Sequence, residues 1–209
     1  IWKLDVSDAT NDLAQQRKET EKLMTHNYED DDSPNLTALL SYPDMRIRKK
    51  AQFELAKRTF WGYRALKNVL VEETNQFARI HAIWGIGQIA ASDRDKAEPL
   101  VTLLDDEDAE IIVQSLKVLG DIKFHGSEEK MISLLQHNND RVKFYAAQAL
   151  GRLQYKNAVK PLLEMILVNN DADLYLRHAA VLALSRIGDT KPILDLANHE
   201  DRSLRIAAV

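Results

Sequence analysis

Apolar residues recur along most of this chain at steps of three and four, in blocks separated by short turns rich in Asp, Asn, Gly and Pro. The clearest block is Asp140–Leu153, D-R-V-K-F-Y-A-A-Q-A-L-G-R-L. Segments 44–58, 75–89, 108–122 and 173–187 align with it without gaps, and a sixth copy begins at Asp201 and stops at Val209. The last large apolar residue of each full copy falls at Leu55, Ile86, Leu119, Leu150 and Leu184, at spacings of 31, 33, 31 and 34 residues. Upstream lies another apolar position: Ile47, Ala78, Ile111, Val142, Leu176 or Leu204. Small residues occupy two further registers, Ala51, Ala82, Ser115, Ala146, Ala180 and Ala208, then Ala56, Gly87, Gly120, Gly151 and Ser185. Such steps gather apolar and small side chains on one side of a helix, which predicts helices built for close approach. A fixed period of this length predicts units that cannot bury their apolar faces alone and stack into one continuous core.

The D-x-V-R-x-x-A-A-x-A-L-G-x-I pattern resembles the second helix of a HEAT repeat over residues 34–209. The resemblance implies an all-α chain, a right-handed α-α superhelix or HEAT/ARM-like α-solenoid of about five and a half helical hairpins. The repeats are expected near 34–58, 62–91, 95–124, 127–155, 157–188 and 190–209. Each begins with a first helix carrying an apolar stripe, in several of them with leucine pairs such as Leu39 and Leu40, Leu103 and Leu104, or Leu134 and Leu135. Ser33 is expected as N-cap with Pro34 in the first helical position, and Asp44 as cap of the next helix.

Residues 1–33 depart from the repeat plan. Ile1 to Val6 alternate as a short strand would, 11–25 form a thin-faced, solvated helix, and Glu29 to Asp32 read as an acidic linker. A calcium loop there would need a glycine and spaced ligands that this run lacks.

Composition narrows the functional classes. The 209 residues are 45% hydrophobic, enough for a sizeable core, and the formal charge of -4 gives no general attraction to nucleic acid. With no cysteine there is no disulfide framework, thiolate metal site, cysteine nucleophile or covalent haem attachment within this segment. No apolar run of 18 residues is present, so the segment is not expected to insert into a membrane. The chain starts at Ile1 and stops inside a repeat, which reads as a piece of a longer protein whose export signal could lie upstream. Enzyme motifs are missing: no H-E-x-x-H, no G-x-S-x-G and no phosphate-binding glycine loop. The six histidines are scattered, and no catalytic, cofactor-binding or metal-binding residue is expected.

Two sets of residues remain as candidates. A basic residue follows the upstream apolar position at Arg48, Arg79, Lys143, Arg177 and Arg205, and is expected to form a structural ion-pair ladder between adjacent repeats. The other set varies between copies and is expected on the concave surface that second helices line in such a solenoid. It comprises Lys49, Lys50, Phe53, His81, Trp84, Gln88, Gln114, Lys117, Tyr145, Gln148, Arg152, His178, Leu182 and Arg186. Aromatic residues and arginine are the types favoured where proteins meet. Phe53, Trp84 and Leu182 have filling gaps between uneven units as their alternative role. The expected function is a non-catalytic scaffold for a protein partner or for neighbouring domains of the same chain. Nucleic-acid binding through Arg46, Lys49, Lys50, Lys57, Arg141, Lys143 and Arg152 is the rival, opposed by the net negative charge.

A narrower resemblance rests on A-R-I-H-A-I-W-G-I-G-Q-I-A from Ala78 and Y-P-D-M-R-I-R-K-K-A-Q-F-E-L-A from Tyr42. These stretches look like the HEAT segment of a bacterial group of large exported, membrane-bound dehydrogenases. In that group a β-propeller like those of sorbosone and glucose dehydrogenases precedes the repeats and a c-type cytochrome domain follows. The resemblance implies a periplasmic or membrane-anchored redox parent, c-type haem elsewhere in it, and Ile1 to Leu4 as the tail of a propeller strand.

Overall fold

The computed structural model describes residues 13–208, so the strand expected at Ile1 to Val6 lies outside the described residues. Every element among them is helical. In chain order these are α1 Leu13–Thr25, α2 Ser33–Ala38, α3 Met45–Lys57, α4 Phe60–Glu72, α5 Gln76–Ala90 and α6 Glu98–Thr102, then α7 Ala109–Asp121. They are followed by α8 Glu128–Ser133, α9 Asp140–Leu153, α10 Val159–Asn169, α11 Leu174–Ile187, α12 Thr190–Leu194 and α13 Arg202–Ala207. The chain divides into two compact units, the first ending at Gly85 and the second starting at Ile86.

One local device builds the turn inside several repeats. The leucine pairs close α2, α6 and α8 with a tighter 3-10 turn, at Leu39–Ser41, Leu103–Asp105 and Leu134–Gln136. Tightening brings the second leucine of each pair into the core, where Leu40, Leu104 and Leu135 are buried. The next residue is extended each time, with φ and ψ of -60° and 142° at Tyr42, -65° and 148° at Asp106, and -61° and 149° at His137. This aims the chain into the following N-cap. There Asp44, Asp108, Asn139, Asp173 and Asp201 each accept a bond from the backbone N–H two residues on, at 2.7 to 2.9 Å. The caps satisfy donors that the start of a helix leaves open. At α2 the cap is Asp32, whose carboxylate accepts from the Asn35 N–H at 2.8 Å, and the expected Ser33 is already helical. A carboxylate is the stronger acceptor at the positive end of a helix.

In the first unit α3 packs against α4 and α1. No side chain described on α1 is fully buried, in keeping with a thin-faced helix, and α1 begins 32 residues before α3, one repeat period. Thr20 Oγ1 shares a 2.9 Å hydrogen bond with the Tyr42 hydroxyl, and Lys50 Nζ donates to the Met24 carbonyl. The acidic stretch 29–32 is tied down and is no free linker. Arg58 donates to the carbonyls of Tyr28 and Asp31, and Lys57 pairs with Glu29. Tyr28 beside it is buried.

The second unit owes its layering to small residues. A side-chain carbon added at Gly151 would lie 2.6 Å from the Ala183 Cα, and one at Gly120 would lie 2.9 Å from the Ala149 Cα. Only a residue without Cβ permits backbones that near. Around these contacts Ile111, Leu116, Leu119, Val142, Leu150, Ala180 and Leu184 form the buried core of α7, α9 and α11.

Candidate interaction surface

The basic residue that recurs in the second helices works chiefly within its own repeat rather than as the expected ladder between repeats, although Arg48 also reaches the next repeat through His81. Arg48 Nη1 donates to the Tyr42 and Pro43 carbonyls at 2.7 and 2.8 Å, and Arg205 Nη1 to the His199 and Glu200 carbonyls at 2.6 and 2.8 Å. Arg177 pairs with Asp171 and Lys143 with Asp140, both at 2.8 Å. Helical side chains lean toward the N-terminus of their helix, so a base one turn in reaches back to the turn before it. Arg79 stands in the same register on α5, half-buried.

In the second unit, cross-bracing between repeats comes from positions at and just below the surface of α7, α9 and α11. Arg141 pairs with Glu110 at 3.1 Å and Arg152 with Asp121 at 3.2 Å, each one repeat apart. The Lys117 ammonium lies 5.7 Å from the Tyr145 ring centre, and the Arg141 guanidinium lies 5.5 Å from the same ring. Arg186 Nη1 donates to Gln148 Oε1 at 2.8 Å. These bonds bring Lys117, Tyr145, Arg152 and Arg186 onto one continuous face, with Leu182 half-buried and His178 exposed on α11. Gln114 and Gln148 are themselves buried, and Gln114 is spent on Glu110 at 2.5 Å. They support the face from below and are not contact residues as expected.

His81 also belongs to the interior. Arg48 Nε donates to His81 Nε2 at 3.1 Å, so that ring nitrogen carries no proton, and Nδ1 donates to Gln52 Oε1 at 2.7 Å. The imidazole is 3% exposed. Burial, with Arg48 beside it, lowers its pKa from 6.5 to about 4 and keeps it neutral. Trp84 packs edge-on against it at 5.0 Å, and the Arg48 guanidinium covers the Phe77 ring at 4.6 Å. Of the candidates on α3, Lys49 is exposed and sits 5.4 Å from the ring of Phe53, itself 47% exposed, while Lys50 is held by Met24. Gln88, on α5 in the second unit, is exposed.

Sequence reasoning missed Glu110 and Asp121 as struts, and Gln52 as the partner of His81. The signal for the struts was present: opposite charges at one register in successive copies, Glu110 with Arg141 and Asp121 with Arg152. Among the described residues no three His, Asp or Glu side chains are grouped as metal ligands would be, and no helix is long and apolar enough to cross a membrane.

The family model for HEAT repeats matches residues 128–209. That stretch is similar to HEAT repeats. It covers α8 to α13, and the preceding hairpins share its turns and caps. Comparison with curated proteins gives no match. Among solved structures, an engineered protein of the Northeast Structural Genomics Consortium superposes with a TM-score of 0.54 and 19% identity, over 85% of this chain and 94% of that one. A second engineered protein from the same consortium gives 0.52 and 20% identity, over 84% of this chain and 56% of that one. At such identities the likeness concerns the fold, a HEAT/ARM-type repeat architecture.

Proposed function

We propose that this chain is a non-catalytic scaffold that holds a protein partner, or neighbouring domains of its own polypeptide, against the exposed face of α7, α9 and α11. The observation that carries the reading is the cross-bracing of that face. Three helices are joined by side-chain rungs, while Tyr145 and four cations stay within reach of solvent. Rigid aromatic and arginine side chains on a stiff support lose little entropy on binding. In the narrower form of the proposal the scaffold is part of a large exported redox protein, periplasmic or membrane-anchored, with haem carried by another domain. The second-helix stretches from Tyr42 and Ala78 support that form, and reading the open reading frame on both sides tests it. A propeller upstream and a Cys-x-x-Cys-His downstream are expected; repeats alone would reduce the claim to a stand-alone interaction module.

The face itself is tested by a photo-crosslinking residue placed at Tyr145 and, as control, at Val168, which is 85% exposed on α10. Crosslinks to one discrete partner or domain are expected from position 145 only. Equal yields from both would overturn the assignment of the face.

A further inference from the structure

The charge of this molecule is sorted by element. Within the second unit α7, α9, α11 and α13 hold eight basic and three acidic residues, a net +5, whereas the rest of that unit holds seven basic and sixteen acidic, a net -9. In the first unit α3 alone has five basic residues to one acidic. A chain of formal charge -4 thus offers basic second helices in an otherwise acidic frame.

The sorting continues along each helix. Acidic residues crowd the turns that precede the second helices, at 105–108, at Asp171 and Asp173, and at Glu200 and Asp201. The opposite halves carry Lys117 on α7, Arg152 on α9 and Arg186 on α11. The carboxylates on the face are already engaged, Glu110 by Arg141 and Asp121 by Arg152 Nε. Lys117 has the Tyr145 ring as neighbour and no carboxylate partner among the described residues, and Arg186 is oriented by the neutral Gln148. Three cations on three successive helices are therefore held in place, and Lys117 and Arg186 keep charge that no carboxylate among the described residues meets.

We infer that this row, Lys117, Tyr145, Arg152 and Arg186, binds an extended polypeptide segment rich in Asp and Glu. The inference rests on the scaffold reading and supplies the chemistry of its partner. A single extended strand fits because it can cross the C-terminal halves of α7, α9 and α11 without approaching the acidic turns at their other ends. Each side-chain carboxylate can accept two hydrogen bonds from a guanidinium, and the Tyr145 ring gives an apolar surface between charges. A nucleic-acid duplex fits poorly. It carries one negative charge per about 1.7 Å of axis and is far wider than the row, so the frame of net -9 would repel it.

The test is fluorescence anisotropy with the whole chain and three labelled probes: an eight-residue Glu/Asp peptide, its Gln/Asn counterpart and a 20-base-pair duplex DNA. The acidic peptide is expected to bind at least about tenfold tighter than the neutral one at low salt, and to weaken several-fold between about 50 and 150 mM. The double variant R152E/R186E, and separately K117E, should each cost about tenfold or more, while K160E on α10 should leave the affinity unchanged. Thermal melting checks that each variant is folded, and K117E breaks no ion pair, so it serves if the double variant does not fold. Equal affinity for the acidic and neutral peptides, tighter binding of the duplex, or indifference to K117E would each overturn the inference. Were those results joined by discrete crosslinks from position 145, the scaffold reading would stand and only the acidic partner would fall.

Discussion

Between α3 and α5 the interior holds Arg48, Gln52 and His81, joined by directed hydrogen bonds; between α9 and α11 it holds Gly151 and Ala183 with their backbones in contact. Both junctions join second helices of successive repeats. The polar one fixes its register by the directions of its bonds, and every member must keep its partner, because a buried polar group left alone is costly. The small-residue one fixes its register by shape and has nothing to titrate. One junction should therefore be sensitive to proton concentration and indifferent to a methyl group at a distance, and the other the reverse.

The largest effect is expected from Leu150→Ala, which empties a fully buried site beside the small-residue junction. Urea unfolding should show a loss of about 2 to 5 kcal/mol. A loss under about 0.5 kcal/mol would place Leu150 outside the core. Gly151→Ala comes next, at about 1 to 3 kcal/mol, since its new carbon would meet the Ala183 backbone. Pairing it with Ala183→Gly in a double-mutant cycle should return part of the loss, and strict additivity would show that the two do not share a contact.

The polar junction is probed by pH. The His81 pKa is about 4 in the folded state against 6.5 unfolded, so below 6.5 the unfolded chain binds the proton more readily. Stability from this group is complete above pH 6.5, declines as pH falls toward about 4, and is constant below that. Between pH 7 and 5 the loss should be about 2 kcal/mol, and it should be absent from the pH profile of His81→Gln, so that the difference between wild type and variant carries it. An unchanged pH profile in that variant would remove His81 from the account. The smallest effect belongs to the surface: Arg152→Ala should shift stability by no more than about 0.5 kcal/mol, as exposed pairs do, while impairing partner binding.

Much of the architecture was legible because it is written in one-letter periodicity. The leucine pairs, the capping Asp or Asn and the Ala and Gly registers each act through neighbours a few residues away, and Asp44, Leu104 and Gly151 do what their positions predict. The candidate surface was legible in part. Lys117, Tyr145, Arg152 and Arg186 stand on one face, but Gln114, Gln148 and His81 are inside, because the packing of neighbouring helices, not the register alone, decides which side chains are enclosed. The basic residue after each upstream apolar position was misread for a different reason. Its partners are mostly backbone carbonyls and nearby carboxylates of its own turn, with His81 of the next repeat added at Arg48, and sequence does not say which way an arginine reaches.

By itself the sequence determined the helices, their caps, their period and the small-residue registers, all set by local propensity and one-sided burial. Only the tertiary structure decided which polar side chains the stacked helices enclose, and therefore that His81 is neutral and that Glu110 and Asp121 are struts. It decided likewise that the cations of α7, α9 and α11 share one face, since those outcomes depend on distances between residues about one repeat period apart.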